Sequence, residues 1–113
     1  MEIKKDDYEV CYDSQKNSVV CSGSFRLTGA EYNAIQEILS TAADAGQNDL
    51  IINLTGLKFL NSSGINMLSK FIIRLRKNKT SQVKVIGNNE FAWQKKSLVN
   101  FKKLLPDLEL EFE

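Results

Sequence analysis

Hydrophobic and polar positions near the start of the chain alternate with a period of two. Residues 8–13 show this alternation, residues 18–22 are rich in β-branched side chains, and the polar residues 14–17 between them have turn chemistry. Together they predict a β-hairpin. With a turn centred near Lys16, Cys11 and Cys21 face each other, and we interpret them as two small residues of a sheet rather than a redox pair.

Three longer segments have the period of amphipathic helices. The first follows Thr28 and Glu31, which are spaced as a capping box, and we expect it to end at Gly46 as the C′ residue. The second follows Gly64, and the third follows an asparagine cap at position 88 or 89 and stops at Pro106. The predicted core positions are Ile35, Ile38, Leu39, Ala42, Ile65, Leu68, Ile72, Leu75, Phe91, Leu98, Phe101 and Leu105.

Short apolar runs separate these helices. Residues 50–54 and 83–86 are typical of strands covered on both faces, and we expect Thr55-Gly56 to end the first run. Residues 108–112 alternate and predict a half-exposed last strand. This order of elements implies right-handed crossovers and a parallel portion of sheet. The predicted class is α/β: a single domain over residues 1–113, with a mixed, mostly parallel sheet of four to five strands and three to four helices mainly on one face.

Composition limits the chemistry that the chain can carry. Its 113 residues are 42% hydrophobic and include 15 basic and 14 acidic side chains, so it lacks the strong net positive charge that favours duplex nucleic acid. There is no histidine, which excludes Ser-His-Asp and Cys-His catalysis and His-ligated metal sites. Two cysteines are too few for a four-ligand zinc site. We therefore expect no enzyme activity, no metal and no cofactor.

The distribution of apolar residues also indicates where the protein acts. No apolar run approaches the roughly 20 residues that a membrane span needs, and residues 1–7 are charged rather than apolar, unlike a signal peptide. We therefore expect a cytoplasmic protein with reduced thiols and no membrane partner.

One segment, Asn61 to Gly64, joins a predicted strand to the second helix. A serine at the N-cap would stabilise that helix by about 1 kcal/mol, which explains one serine but not two followed by a glycine. Gly64 permits a close backbone approach to the sheet or to a partner. The helix start carries about half a positive charge, and a phosphoserine would add about −1.5 to −2 charges there. From these residues alone, the cap is the simpler interpretation and a phosphorylation switch stays open.

The segment LIINLTGLKFLNSSGI, residues 50–65, resembles the signature of STAS domains and, more narrowly, of the anti-sigma factor antagonists of bacteria. Their pattern is an apolar strand, an acidic or Asn residue, Leu-Ser/Thr, a spacer, and Asp-Ser-Ser-Gly-Leu opening a helix. With the order of elements, the resemblance covers about residues 8–112. It implies a mixed sheet of four or five strands with helices packed on it.

The resemblance implies a phosphorylation-gated binding switch in which Ser62 matches the phosphorylated serine. The implied partner is an anti-sigma factor, a serine kinase of the histidine-kinase-like ATPase fold, which the unphosphorylated antagonist binds so that a sigma factor is freed. A serine phosphatase and a second copy of the chain are further candidate partners. Asn61 replaces the usual Asp. If that carboxylate activates the serine, phosphorylation is weaker here; if its role is steric or hydrogen-bonding, little changes.

We expect the partner surface to combine the loop before the second helix with apolar side chains that lie off the core stripe of that helix. The candidate partner-binding residues are Phe59, Asn61, Ser62, Ser63, Gly64, Met67 and Ile73. Two other functions stay open: an interaction scaffold that is not phosphorylated, and a sensor of nucleotide or another anion at the helix start. Against the sensor, the chain lacks GxxxxGK[ST] and GxGxxG motifs.

Overall fold

One sheet and three α-helices make up the protein in a computed structural model, which describes residues 1–45, 49–77 and 82–113. The predicted helix end at Gly46 lies outside the described residues. The elements are β1 (Glu2–Lys4), β2 (Tyr8–Asp13), β3 (Ser18–Phe25), a 3₁₀-helix (Gly29–Tyr32), α1 (Asn33–Asp44), β4 (Leu50–Leu60), α2 (Ser62–Lys77), β5 (Val83–Gly87), α3 (Ala92–Leu104) and β6 (Glu109–Phe112).

The strands lie in the sheet in the order of the chain, from β1 to β6. The first two pairs are antiparallel and the next three are parallel. The predicted α/β class with a mixed, mostly parallel sheet is therefore confirmed. The sheet has six strands rather than four or five, because β1 is an edge strand of three residues in which only Ile3 is apolar. Such a strand is too short to show a period.

The hairpin register separates the two cysteines. Val10 pairs with Cys21, and Cys11 pairs with Val20, so the expected pairing of Cys11 with Cys21 is wrong and the thiols lie on opposite faces of the sheet. The side chain of Asp13 accepts hydrogen bonds from the backbone N–H groups of the two central turn residues, Gln15 and Lys16. The register centres the turn between these two residues, half a residue earlier than expected. Both thiols are free, in agreement with their interpretation as sheet residues.

Strand β4 is longer than expected, because it continues through Thr55-Gly56 for 11 residues in total. Two irregularities in its pairing with β3 each give β4 one extra residue. At the first, the side chain of Asn53 accepts hydrogen bonds from both the N–H and the hydroxyl of Thr55, at 3.0 and 2.7 Å. A Cβ at Gly56 would lie 3.0 Å from the Cβ of Ser22. The strand bulges here instead of ending, and its last residue leads directly into α2.

The helices bury most of the predicted core positions, although Ile65, Phe91 and Leu105 are only half-buried. Helix α3 begins at Ala92 with Phe91 as its N-cap, so the expected asparagine cap is wrong. The side chain of Asn88 instead accepts the N–H of Glu90 and donates to the carbonyl of Thr55. Sequence reasoning also missed a buried side chain near this helix start, Gln94, which is 0% exposed. It accepts the N–H of Asn88 at 2.6 Å and donates to two carbonyls of β4.

Candidate functional site at the start of helix α2

Asn61 is the residue that caps α2. Its Oδ1 accepts the backbone N–H of Gly64 at 2.9 Å, and its carbonyl accepts that of Ile65 at 2.9 Å. The expectation of a serine at the N-cap is therefore wrong, since asparagine performs that role equally well. Ser62 and Ser63 are the first two residues of the helix, and neither hydroxyl is used for capping.

The Asn61 side chain also ties α2 to the segment that follows β3. Tyr32 Oη donates to Asn61 Oδ1 at 2.7 Å, and Asn61 Nδ2 donates to the carbonyl of Leu27 at 2.7 Å. Tyr32 is 1% exposed, and burial raises the pKa of its phenol, which keeps the proton that it donates. Because a carbonyl can only accept, Leu27 fixes the orientation of the Asn61 amide.

Gly64 is buried at the point where the helix start crosses the end of β4. A Cβ built there would clash with the side chain of Leu60 and would lie 2.7 Å from Tyr32 Oη. The close approach predicted for this glycine is therefore internal: the backbone of α2 packs against Leu60 and Tyr32. Any larger residue would push against the hydrogen bond that holds Asn61.

The two serines have different surroundings. Ser62 is exposed, and within the described residues nothing forms a hydrogen bond with its hydroxyl. Ser63 is half-buried, and its Oγ accepts the backbone N–H of Gly29 at 3.3 Å. Both lie at the N-terminus of α2, where the helix dipole is positive and the first turn contains no acidic residue. The accessible hydroxyl at this positive end belongs to Ser62.

An exposed aromatic ring precedes the first residue of α2 by three positions in the chain, on the sheet face that points away from the helices. Phe59, near the end of β4, is 40% exposed, and the guanidinium carbon of Arg26 lies 4.9 Å from the centre of its ring. Such a cation–π contact is worth about 0.5–1 kcal/mol at an exposed position. The arginine therefore covers part of the ring, and much of the ring stays open to a partner.

The two apolar residues expected on the outer face of α2 have different environments. Ile73 is 38% exposed, as expected, but Met67 is only 4% exposed, so an outward-facing Met67 is wrong. Helix α2 packs against α1 as well as the sheet, and its buried face is therefore wider than the single stripe read from the sequence. Met67 belongs to that second contact.

A groove runs between α1 and α2 from the helix start toward Arg74. It consists of two adjoining depressions of about 280 and 230 Å³ that share the side chains of Gln36, Met67 and Lys70. Ser63 lines the end nearest the helix start. At the other end, Arg74 donates to Ser40 on α1. The groove is continuous with the segment that carries the serines.

Leu27, Gly29 and Tyr32 contribute to this site although they precede it by about 30 residues. Sequence reasoning did not assign them to it. The available signal was indirect: neighbouring parallel strands end at the same edge of a sheet, so the segments that follow β3 and β4 must adjoin. The capping box at Thr28 already marked the first of these segments as a helix start.

Two features are absent from the described residues. None of their helices is both long and apolar enough to cross a membrane. In the same part of the chain, no three His, Cys, Asp or Glu side chains are grouped as ligands of a metal ion.

The sequence matches the family model of the STAS domain over residues 15–105. That match covers most of the chain, and the chain belongs to the STAS domain family. No curated protein sequence matches it.

Three solved structures have a similar fold. One chain of the complex between the diguanylate cyclase SiaD and its activator SiaC from Pseudomonas aeruginosa matches with a TM-score of 0.76 and 12% identity, covering 100% of this chain and 99% of that one. Apo-SiaC from the same organism matches with a TM-score of 0.70 and 11% identity, covering 97% of this chain and 93% of that one. An anti-sigma factor antagonist from Mycobacterium paratuberculosis matches with a TM-score of 0.67 and 18% identity, covering 94% of this chain and 88% of that one. At these identities the similarity shows the fold alone.

Proposed function

We propose that this chain is a phosphorylation-gated protein-binding switch of the anti-sigma factor antagonist type, and that Ser62 is the phosphorylated residue. The observation that carries the proposal is the exposed Ser62 hydroxyl, without a hydrogen-bond partner in the described chain, at the positive end of α2. Its neighbour Ser63 accepts a hydrogen bond from Gly29. Membership of the STAS family and the fold shared with an anti-sigma factor antagonist support the same proposal.

A phosphate on Ser62 would change the surface and leave the fold intact. The cap of α2 is supplied by the inward-directed side chain of Asn61, so it does not depend on the Ser62 hydroxyl. Negative charge at a helix N-terminus is also stabilising. A partner that covers Ser62 would have to desolvate the added charge, and binding would weaken.

The proposed partner is a serine kinase of the histidine-kinase-like ATPase fold, as the resemblance implies. Of the candidate partner-binding residues, three are exposed, Phe59, Ser62 and Ile73, and Ser63 is half-buried. The other three shape the surface from beneath, through the cap, the close packing of the helix start and the contact with α1: Asn61, Gly64 and Met67.

We infer that asparagine in place of the usual aspartate at position 61 leaves phosphorylation possible. Its Oδ1 bonds Tyr32 and Gly64, its Nδ2 bonds Leu27, and neither atom bonds the Ser62 hydroxyl. The role of this side chain is therefore structural. Of the two alternatives for the missing carboxylate, the hydrogen-bonding role is the one that these contacts support.

The experiment incubates the purified protein with ATP, Mg²⁺ and, in turn, each histidine-kinase-like ATPase serine kinase encoded in the same genome. Intact-mass and fragment-ion spectra then report the modification. With one of the kinases, the wild type and Ser63→Ala gain one phosphate and Ser62→Ala gains none. Absence of phosphate with every kinase, or a phosphate that persists in Ser62→Ala, contradicts the proposal.

A second candidate is an interaction module that works without phosphorylation. It is favoured by the match, over 100% of this chain, to a chain of the complex between SiaD and its activator SiaC. In that case a partner would bind wild type, Ser62→Ala and Ser62→Asp with equal affinity, and no kinase would modify the chain. The switch requires Ser62→Asp to bind more weakly than Ser62→Ala.

A further inference from the structure

Helices α2 and α3 carry positive charge only. Neither contains an aspartate or a glutamate. The helices pack side by side, and because each connects two neighbouring parallel strands, they run in the same direction. Of the eight lysines and arginines on these helices, only Arg74 forms an ion pair with a described side chain, Asp44, at 3.4 Å. The cationic residues are Lys70, Arg74, Arg76, Lys77, Lys95, Lys96, Lys102 and Lys103.

Each of the two helices repeats one arrangement on its exposed side. Ile73 is 38% exposed and Val99 is 45% exposed, although both are aliphatic. Each has an exposed lysine three residues before it and another four residues after it, and these positions are neighbours on a helix surface. We call this surface the basic face: Lys70, Ile73 and Lys77 on α2, and Lys96, Val99 and Lys103 on α3.

The opposite side of the protein is the sheet surface that faces away from the helices. Register places at its centre three aliphatic residues and one amide, which lies between Val20 and Ile86: Val20, Ile51, Asn53 and Ile86. Val20 is 38% exposed. The same register adds five carboxylates and two lysines around this centre, all on outer strands: Glu2, Lys4, Glu9, Asp13, Lys84, Glu109 and Glu111. We call this surface the acidic sheet face.

Both lysines of the acidic sheet face are already paired. Lys4 lies 3.9 Å from Glu2 and 4.0 Å from Glu9. Lys84 contacts both carboxylates of β6, at 3.9 and 3.3 Å. The surface therefore carries excess negative charge at both edges, and a mainly aliphatic strip that includes Asn53 separates them.

We propose that the basic face of one copy docks on the acidic sheet face of a second copy. Each face has an aliphatic centre with a charged border, and the two borders have opposite signs. An anionic lipid surface or a nucleic acid would neutralise only the basic face and leave the aliphatic strip of the sheet exposed, whereas a second copy matches both faces. The contact is head-to-tail, so further copies add at the free faces. It does not depend on phosphorylation of Ser62.

Sedimentation velocity over a range of protein concentrations tests the proposal. At about 0.01 M salt, where the Debye length is about 30 Å, we expect the wild type to associate as the protein concentration rises. At about 1 M salt, where the Debye length is about 3 Å, we expect a monomer. The double variant Lys96→Glu/Lys103→Glu stays monomeric at both. The control variant Lys5→Glu/Lys16→Glu changes the net charge by the same amount at residues that belong to neither face, and it associates as the wild type does.

A second variant makes the test reciprocal. Glu109→Lys/Glu111→Lys is expected to be monomeric alone, and an equal mixture with Lys96→Glu/Lys103→Glu associates, because opposite faces then meet again; circular dichroism checks that both are folded. A wild type that is monomeric in low salt at every concentration overturns the proposal, as does normal association of Lys96→Glu/Lys103→Glu. A monomeric wild type that binds phosphatidylserine vesicles or duplex DNA through the basic face also overturns it.

Discussion

The hydroxyl of Tyr32 donates a hydrogen bond of 2.7 Å to the side chain of Asn61, the residue immediately before the proposed phosphorylation site. The two residues are 29 positions apart in the chain, but they meet because β3 and β4 are parallel neighbours that end at the same edge of the sheet. Asn61 is thereby turned inward, and Ser62 is left facing solvent. The exposure of the serine follows from how its neighbour is held.

The first prediction concerns Asn61→Asp. A carboxylate cannot donate a hydrogen bond to the carbonyl of Leu27. A carboxylate oxygen would instead face the carbonyl oxygen at about the 2.7 Å that the N–H now bridges. Leaving such a buried group unpaired costs about 1–3 kcal/mol, so the free energy of unfolding in urea should fall by that amount. Asn66→Asp, the same change at an exposed position of α2, is the control and should shift stability by less than about 0.5 kcal/mol. Equal stability of the two variants would refute the bridging role.

The second prediction concerns Gly64→Ala. Alanine is the better helix former by up to about 1 kcal/mol, yet its Cβ would clash with Leu60 and crowd Tyr32 Oη. Overpacking of this kind costs about 1–3 kcal/mol, so thermal unfolding should show a net loss of stability. Ser62→Ala, at the exposed end of the same helix turn, should leave the melting temperature nearly unchanged. A Gly64→Ala variant that melts at or above the wild-type temperature would contradict the close packing of Gly64 against Leu60 and Tyr32.

The third prediction concerns the partner surface. Phe59→Ala removes a 40% exposed ring, and with it the stacking partner of Arg26, so the fold should lose little stability. Affinity for the kinase measured by isothermal titration calorimetry should fall by about tenfold, equivalent to about 1.4 kcal/mol. Val99→Ala removes a similarly exposed apolar side chain from α3 and should bind the kinase normally. Unchanged affinity of Phe59→Ala would remove the ring from the proposed interface.

The fourth prediction concerns alkaline stability. Burial raises the pKa of the Cys21 thiol from 9.0 to about 12. Since the folded pKa lies above the unfolded one, the stability that the neutral thiol contributes is complete below about pH 9 and is lost progressively as the pH rises toward 12. Urea unfolding at about pH 7 and about pH 10 should therefore show a smaller loss for Cys21→Val than for the wild type. The same loss in both proteins would show that the thiol does not titrate as described.

The elements that could be read from the sequence are those defined by local periodicity. Positions such as Leu39 and Leu98 lie on a helical stripe and are buried, because one amphipathic helix has one way to face a sheet. The hairpin was also readable, but its register was not. The Asp13 side chain bonds the backbone of the turn, and the turn centre lies half a residue earlier than expected, so Cys11 pairs with Val20 instead of Cys21. Local contacts of this kind leave no periodic signal.

The candidate site was only partly predictable for the same reason. The helix start and its two serines are visible in the motif, and so is the special role of Gly64. The reason for that role is not visible, because Leu60 and Tyr32 meet the glycine only after β3 and β4 have paired. Met67 was misassigned because the sequence does not show that α1 covers that side of α2.

The proposed switch requires that a phosphate on Ser62 gates binding. The most direct measurement is the affinity of the kinase that modifies this chain, with ADP bound, for the unphosphorylated protein and for the protein phosphorylated at Ser62. We expect the phosphate to weaken binding by at least about tenfold, or about 1.4 kcal/mol, while circular dichroism spectra of the two forms are the same. Equal affinities of the two forms would contradict the switch.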